Sequence, residues 1–282
     1  CGDSDCISGD LEHGGLGRWT GIAADDQRVL VSTYDQGLGD IVVADVTSPD
    51  AIKLVVVDGI PTDVAPTHEE DSYRKGIEEP GPNVGAWTSI AMSNGIGFAA
   101  YQDRDAKALK FAFEAKTGSA TWKSSVVDAG NGEEVGRYTS IAFDANGRPA
   151  IAYIALGVDD GAGHRNTELR FARAQNNSPA SAGDWMISPI ATGVGSCGGL
   201  CGAGEACIAT MEGQTCTAIT SDCTAECADT EACIAAACVE AFAEPEVVDL
   251  ATGTGLFVDL VLLNDGRFAA VYYDRNAREL RV

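Results

Sequence analysis

Four stretches of the chain share one order of apolar and polar positions. They read GRWTGIAADDQRVLVSTYD from Gly17, GAWTSIAMSNGIGFAAYQD from Gly85, GRYTSIAFDANGRPAIAYI from Gly136 and GLFVDLVLLNDGRFAAVYYD from Gly255. Each runs glycine, any residue, an aromatic (Trp19, Trp87, Tyr138, Phe257), a short apolar segment, a polar turn, a second apolar segment and a tyrosine (Tyr34, Tyr101, Tyr153, Tyr273). The turns hold Asp25-Asp26, Ser93-Asn94-Gly95, Asp144 to Gly147 and Asn264-Asp265-Gly266. Such residues tolerate the positive φ of hairpin turns, so each stretch predicts a β-hairpin. A third strand follows at Ile41–Ala44, Leu109–Ala112, Leu169–Ala172 and Leu280–Val282, with polar and apolar residues alternating in the middle two. A fourth is readable at Lys53–Asp58, Trp122–Val127 and Trp185–Ile190. Units of four short antiparallel strands predict an all-β fold, a β-propeller, in preference to a sandwich.

A cysteine-rich stretch interrupts the repeat. It divides into two halves that both read Cys-x3-Cys-x5-Cys, with Cys197, Cys201, Cys207 and Cys216 in the first and Cys223, Cys227, Cys233 and Cys238 in the second. The domain reading is therefore an N-terminal segment over 1–16, three blade units over 17–196, a disulfide-rich insert over 197–238 and a partial fourth unit over 239–282. The Ala-rich stretch Glu226–Ala237 is the best helical candidate, but its cysteines assign it to the insert. The fourth unit stops in its third strand, so a closed ring would need a further strand; a total of about six to eight blades is one expectation, and a self-contained four-bladed ring with Cys1–Leu16 as an irregular edge is the alternative.

Ten cysteines, the remaining two being Cys1 and Cys6, read as disulfides made in an oxidising compartment. About forty residues with little apolar content need such staples. Zinc is the competing reading of the eight clustered cysteines, weakened by the lack of any Cys-x2-Cys pair or histidine among them. A chain opening on Cys1 suits a processed product or a fragment. Cys1 either carries lipid, as in a mature lipoprotein, or pairs with Cys6 or another cysteine. The 42 acidic and 19 basic residues give a net charge of −23 over 282 residues. That balance argues against nucleic acid as a partner. No apolar run approaches the ~20 residues of a membrane-spanning helix.

Candidate chemistry is sparse. His13, His68 and His164 stand in polar, loop-like contexts, and no Gly-x-Ser-x-Gly, Walker loop or dinucleotide fingerprint is present. The acids after the second strands, Asp35, Asp103 and Asp274, occupy equivalent places. They are candidates either for calcium or for capping the turn into the third strand. Asp159 and Asp160, in a long turn of the third unit, are a second calcium candidate. No catalytic residue is assigned. The aromatics opening the first strands are expected to pack between blades. Trp122 and Trp185, opening the fourth strands, are the candidates for surface contact.

The Gly-x-aromatic-Thr-Ser-Ile-Ala, Asx-Gly-Arg and Ala-x-Tyr pattern resembles secreted, lipoprotein-like propellers of myxobacteria and their relatives, whose blades are interrupted by cysteine-rich modules. The resemblance implies fold and surface location and carries over no functional residue. The blades are also loosely similar to sialidase-type propellers, but the Ser-x-Asp-x-Gly-x-x-Trp turn of that family is absent. The reading that follows is an extracellular or cell-surface binding or adhesion module without catalysis, meeting a protein or glycan ligand. Two alternatives stand beside it: an extracellular hydrolase or lyase with acids in the propeller channel, and a self-associating subunit of a surface assembly or filament.

Overall fold

The computed structural model describes residues 15–67, 73–159, 165–194, 201–209, 214–228, 231–241 and 253–282. It is an all-β propeller of four blades. The first blade is β1 (Arg18–Ala24), β2 (Val29–Asp35), β3 (Asp40–Asp45) and β4 (Lys53–Asp58). The second is β5 (Val84–Ser93), β6 (Ile96–Asp103), β7 (Ala108–Glu114) and β8 (Trp122–Asp128). The third is β9 (Glu134–Phe143), β10 (Pro149–Asp159), β11 (Arg165–Ala174) and β12 (Trp185–Val194), with one 3-10 turn, Ala182–Asp184, before β12. Within each blade consecutive strands pair antiparallel.

The insert follows as two hairpins, β13 (Glu205–Ala209) with β14 (Gln214–Ala218) and β15 (Glu231–Ile234) with β16 (Ala237–Glu240). The fourth blade is β17 (Leu256–Leu262), β18 (Phe268–Asp274) and β19 (Glu279–Arg281).

The first strands of the blades, β1, β5, β9 and β17, lie side by side in chain order. Each carries a bulge at its Gly-x-aromatic motif. Both ends of the motif are left-handed: Gly17, Gly85, Gly136 and Gly255 have φ of 113, 105, 91 and 94°, and Trp19, Trp87, Tyr138 and Phe257 have φ of 51, 56, 51 and 53°. A bulky residue in that region is a steric outlier worth roughly 1–3 kcal/mol of strain, so something must hold it there. The rings do so by packing on one another across the blades, tilted in the first two pairs and edge-to-face in the third. Centroids are 4.7 Å apart for Trp19–Trp87, 4.1 Å for Trp87–Tyr138 and 4.8 Å for Tyr138–Phe257. Trp87 and Tyr138, in the middle, are 8% and 5% exposed, whereas Phe257 at the end is 61% exposed. Trp87 and Tyr138 thus pack between blades, as expected from the sequence, whereas Phe257 stays largely exposed.

The glycines serve close approach. A Cβ on Gly85 would fall 2.7 Å from the backbone of Ile41, and one on Gly136 or Gly255 would fall 3.0 Å from Leu109 or Leu169. Those three neighbours occupy one register position in the third strand of the preceding blade. A second link repeats further out. Tyr101 Oη donates to Asp58 at 2.8 Å and Lys110 also pairs with Asp58, while Tyr153 Oη donates to Asp128 at 2.6 Å and Arg170 reaches it at 3.3 Å. Asp58 and Asp128 end the fourth strands of the first and second blades. Ala191 holds that register in the third, and Arg281 of the fourth blade turns to its own Asp274 and Glu279.

In the insert, the assignment of 226–237 to a disulfide-bonded segment and the reading of its cysteines as disulfides both hold among the described residues. Among the described residues of 226–237 there is no helix: the chain turns through Ala235 and Ala236, at φ 47 and 66°, into the β15–β16 hairpin. Disulfides Cys223–Cys233 and Cys227–Cys238 tie that hairpin to the segment before it, which overrides the helix propensity of alanine. In the first half Cys201 pairs with Cys216 and Cys207 is also bridged. These cysteines are therefore disulfides and not zinc thiolates. Cys1, Cys6 and Cys197 lie outside the described residues.

Gly85 and Gly17 both have positive φ, yet nothing lies within 4 Å of a Cβ placed on Gly17. Gly17→Ala is therefore expected to cost about 1 kcal/mol of unfolding free energy, from the backbone alone. Gly85→Ala should cost at least about 2 kcal/mol more, because strands β3 and β5 must separate. Urea unfolding of the two variants measures the difference, and equal losses would contradict the close-approach account.

Candidate functional site

A cleft of about 640 Å³ opens between the first and second blades. Leu30 and Val43 form its floor, Ile52, Leu54 and Trp122 its apolar walls, and Arg28, Asp45, Lys53, Tyr73 and Glu114 its polar groups. That volume suits a small polar ligand. Arg28 follows the hairpin turn of the first blade, whose Asp25 accepts the Arg28 N–H at 2.8 Å. Its guanidinium spans the interface, with Nη1 and Nη2 each 2.9 Å from a Glu114 oxygen and Nη2 3.1 Å from Asp45. Glu114 Oε2 also accepts the Gly97 N–H at 2.8 Å. Glu114 is 3% exposed and Asp45 25%.

The Asp45 carboxyl lies below its usual range. Burial works against this, but hydrogen bonds from the Thr47 hydroxyl and N–H and from Arg28 outweigh it. The cleft thus carries two carboxylates anchored on one guanidinium, with Trp122 beside them.

Tyr73 joins the cleft to a buried acidic group. Its hydroxyl donates to Asp35 Oδ2 at 2.8 Å, and Arg74 beside it pairs with Asp40 at 2.5 Å and donates to the carbonyls of Ile77 and Glu79. Burial raises the Tyr73 phenol, reinforced by Asp35. Burial also raises the Asp40 carboxyl, to about 6, against the pull of Arg74 and with a further push from Asp35 and Asp58.

The acids singled out in the sequence do not come together. Asp35 Oδ1 accepts the N–H groups of Gly37 and Leu38 at 2.9 and 3.2 Å, Asp103 Oδ1 that of Ala106 at 2.8 Å, and Asp274 Oδ1 that of Ala277 at 2.9 Å. Each caps a turn on its own blade. Asp159 is exposed at the end of β10, and Asp160 lies outside the described residues, as do His13, His68 and His164. Among the described residues these carboxylates form no common ligand set.

Trp185, expected at the surface, is 6% exposed, because it packs edge-on against Phe111 of the second blade at 5.2 Å. Trp122 is half-buried and forms a cleft wall. Arg28, Asp45, Glu114 and Tyr73 were not singled out in the sequence. A signal existed, since an acid ends the third strand in both the first and second units.

No protein family and no curated protein matches the sequence. Among solved structures the chain is similar to a phage phi92 endosialidase, at 9% identity and a TM-score of 0.39, over 61% of this chain and 26% of that one. It is also similar to a thermostable family-43 glycoside hydrolase, at 13% identity and a TM-score of 0.38, covering 92% and 84%. A third is an exo-1,5-α-L-arabinanase from a bovine ruminal metagenomic library, at 12% identity and a TM-score of 0.29, covering 96% and 93%. The chain spans about a quarter of the phage enzyme. These neighbours are hydrolases by name, in contrast to the non-catalytic binding or adhesion module expected from the sequence, and their likeness to this chain is one of fold. Among the described residues no helix is long and apolar enough to cross a membrane.

The raised Asp40 carboxyl has a sign. The folded chain keeps a proton that the unfolded chain releases above about pH 4. The contribution is whole below that pH and is lost as pH rises through about 6. From about pH 4 to about pH 6 the wild type should lose melting temperature relative to Asp40→Asn, whose amide does not titrate. Parallel melting curves across that range would contradict the assignment.

Proposed function

We propose that this chain is a secreted hydrolase that cleaves a glycoside in the cleft between its first and second blades. The observation that carries the reading is the pair Asp45 and Glu114, fixed on Arg28 beside the Trp122 wall. Glycoside cleavage passes through a cationic, oxocarbenium-like transition state and uses carboxylates at the scissile bond. Preorganised negative charge in a partly closed cleft stabilises that cation. Glu114, buried and doubly bonded, is suited to fixed charge. Asp45, more exposed and held ionised, is suited to take the proton of an attacking water.

In the reaction the bond from the anomeric carbon to the leaving oxygen breaks and the water oxygen bonds to that carbon. The leaving oxygen takes up a proton, for which the Lys53 ammonium is the cleft's donor. Trp122 offers an apolar face for a sugar ring. The disulfides support maturation in an oxidising compartment, which fits secretion. The acids of this reading lie between blades, and not in the central channel that the sequence suggested.

A panel of chromogenic pyranosides and furanosides tests the proposal. At least one should be turned over, with kcat falling by about a hundredfold or more in Asp45→Asn. Trp122→Ala should raise KM with a smaller change in kcat. Absence of turnover across the panel, or full activity in Asp45→Asn with an unchanged melting temperature, would sink the reading.

A further inference from the structure

One apolar contact recurs at each of the three blade interfaces. The first-strand residue five places after the opening glycine is Ile90, Ile141 and Leu260 in the second, third and fourth blades, and all three are buried. Each packs with a second-strand and a third-strand residue of the blade before it. Ile90 clusters with Leu30 and Ile41, Ile141 with Ala100 and Leu109, and Leu260 with Ala152 and Leu169. The third-strand residue of each set is the one that also meets the glycine opening the next blade.

The first and fourth blades each leave one half of this contact open. In the first blade the equivalent residue, Ile22, is 70% exposed, and nothing stands within 4 Å of a Cβ placed on Gly17. In the fourth blade Leu280 sits opposite Tyr273 as Leu109 sits opposite Gln102 and Leu169 opposite Ile154, yet it is 73% exposed where those two leucines are fully buried. Val271 sits opposite Asp259 as Ala100 sits opposite Ser89 and Ala152 opposite Ser140, and it is 39% exposed where both alanines are fully buried. Phe257, the last ring of the aromatic series, is exposed on the same blade. The first and fourth blades therefore do not cover each other, and they carry opposite halves of one interface.

Apolar side chains grouped on an open sheet face mark a surface that gains by being covered. The cover that fits is one built to the same register, and this chain holds it. From this complementarity we propose that two copies of the chain associate head to tail, with Leu280 and Val271 of each copy packing on Ile22 and Gly17 of the other. The junction continues an interface that the chain already makes three times within itself. Propellers close with about four to eight blades, so two copies complete one ring of eight and leave no terminal face for a third. The cleft between the first and second blades lies outside both junctions, so the proposal stands independently of turnover there.

Sedimentation velocity of the intact, disulfide-bonded chain tests it. The wild type should sediment at twice the chain mass in the micromolar range. Leu280→Asp and Ile22→Asp should each weaken the dimer by at least about a hundredfold, because either substitution puts a carboxylate into both junctions. Both positions are exposed in the single chain, so the fold should survive, and either variant serves should the other not fold. Met186→Asp, exposed on the outer strand of the third blade, should leave the dimer unchanged. A wild type that is monomeric throughout the micromolar range or assembles beyond two copies would overturn the proposal. So would a dimer that persists in folded Leu280→Asp or Ile22→Asp, or one that Met186→Asp dissociates equally.

Discussion

Everything in this fold depends on how closely one blade lets the next approach. The third strand of each of the first three blades presents Ile41, Leu109 or Leu169 to the glycine that opens the following blade, at a distance no Cβ tolerates for Ile41 and one tighter than ordinary contact for the two leucines. At each glycine the inner strand bulges and the aromatic two residues on is left-handed, a conformation the first blade shares although Gly17 has no such close neighbour. The ring then lies on its neighbour across the interface. Strain of roughly 1–3 kcal/mol per aromatic is offset by stacking of about 0.5–1.5 kcal/mol per pair together with the burial of large rings. Backbone and side chain are thus one device, and it sets the spacing in which the cleft forms. The Tyr–Asp–cation link reinforces the first two interfaces from further out.

Most of this architecture was legible because it is periodic. The bounds of β2, β4 and β8 follow the apolar segments closely, and the hairpin turns stand where Asx and glycine stand. Function was less legible, because the groups that make the cleft come from separate blades. Arg28, Asp45, Glu114 and Tyr73 are brought together only by the packing of two sheets. The acids that the repeat aligns, Asp35, Asp103 and Asp274, are equivalent by register, which is why they stay on separate blades and cap separate turns. Repetition reveals what each blade does for itself. A site between blades is made where the repeat departs from itself.

The tyrosines show the same limit. Tyr34, Tyr101, Tyr153 and Tyr273 align by eye, but Arg18 faces Tyr34 and Ala86 faces Gln102, so Tyr34 and Tyr101 differ by one residue in register. A shift of one residue in a strand turns the side chain to the other face. Tyr101 and Tyr153 accordingly reach back to the preceding blade, while Tyr34 reaches Asn83 beyond its own. Trp185 shows a further limit: the first residue of a fourth strand is outermost in its own sheet, but here it is covered by Phe111 of the preceding blade.

The stacked aromatics are the point on which this account can be tested most directly. Trp19 and Trp87 have ring centroids 4.7 Å apart, whereas no stacking joins Trp122 to another indole among the described residues. Two indoles that close couple their transitions, giving a paired positive and negative band in the far-ultraviolet circular dichroism. The account predicts this couplet in the wild type, its loss in Trp19→Phe and in Trp87→Phe alike, and its survival in Trp122→Phe. A spectrum without the couplet, or one that either of the first two substitutions leaves intact, would contradict the stacking from which the blade geometry has been derived.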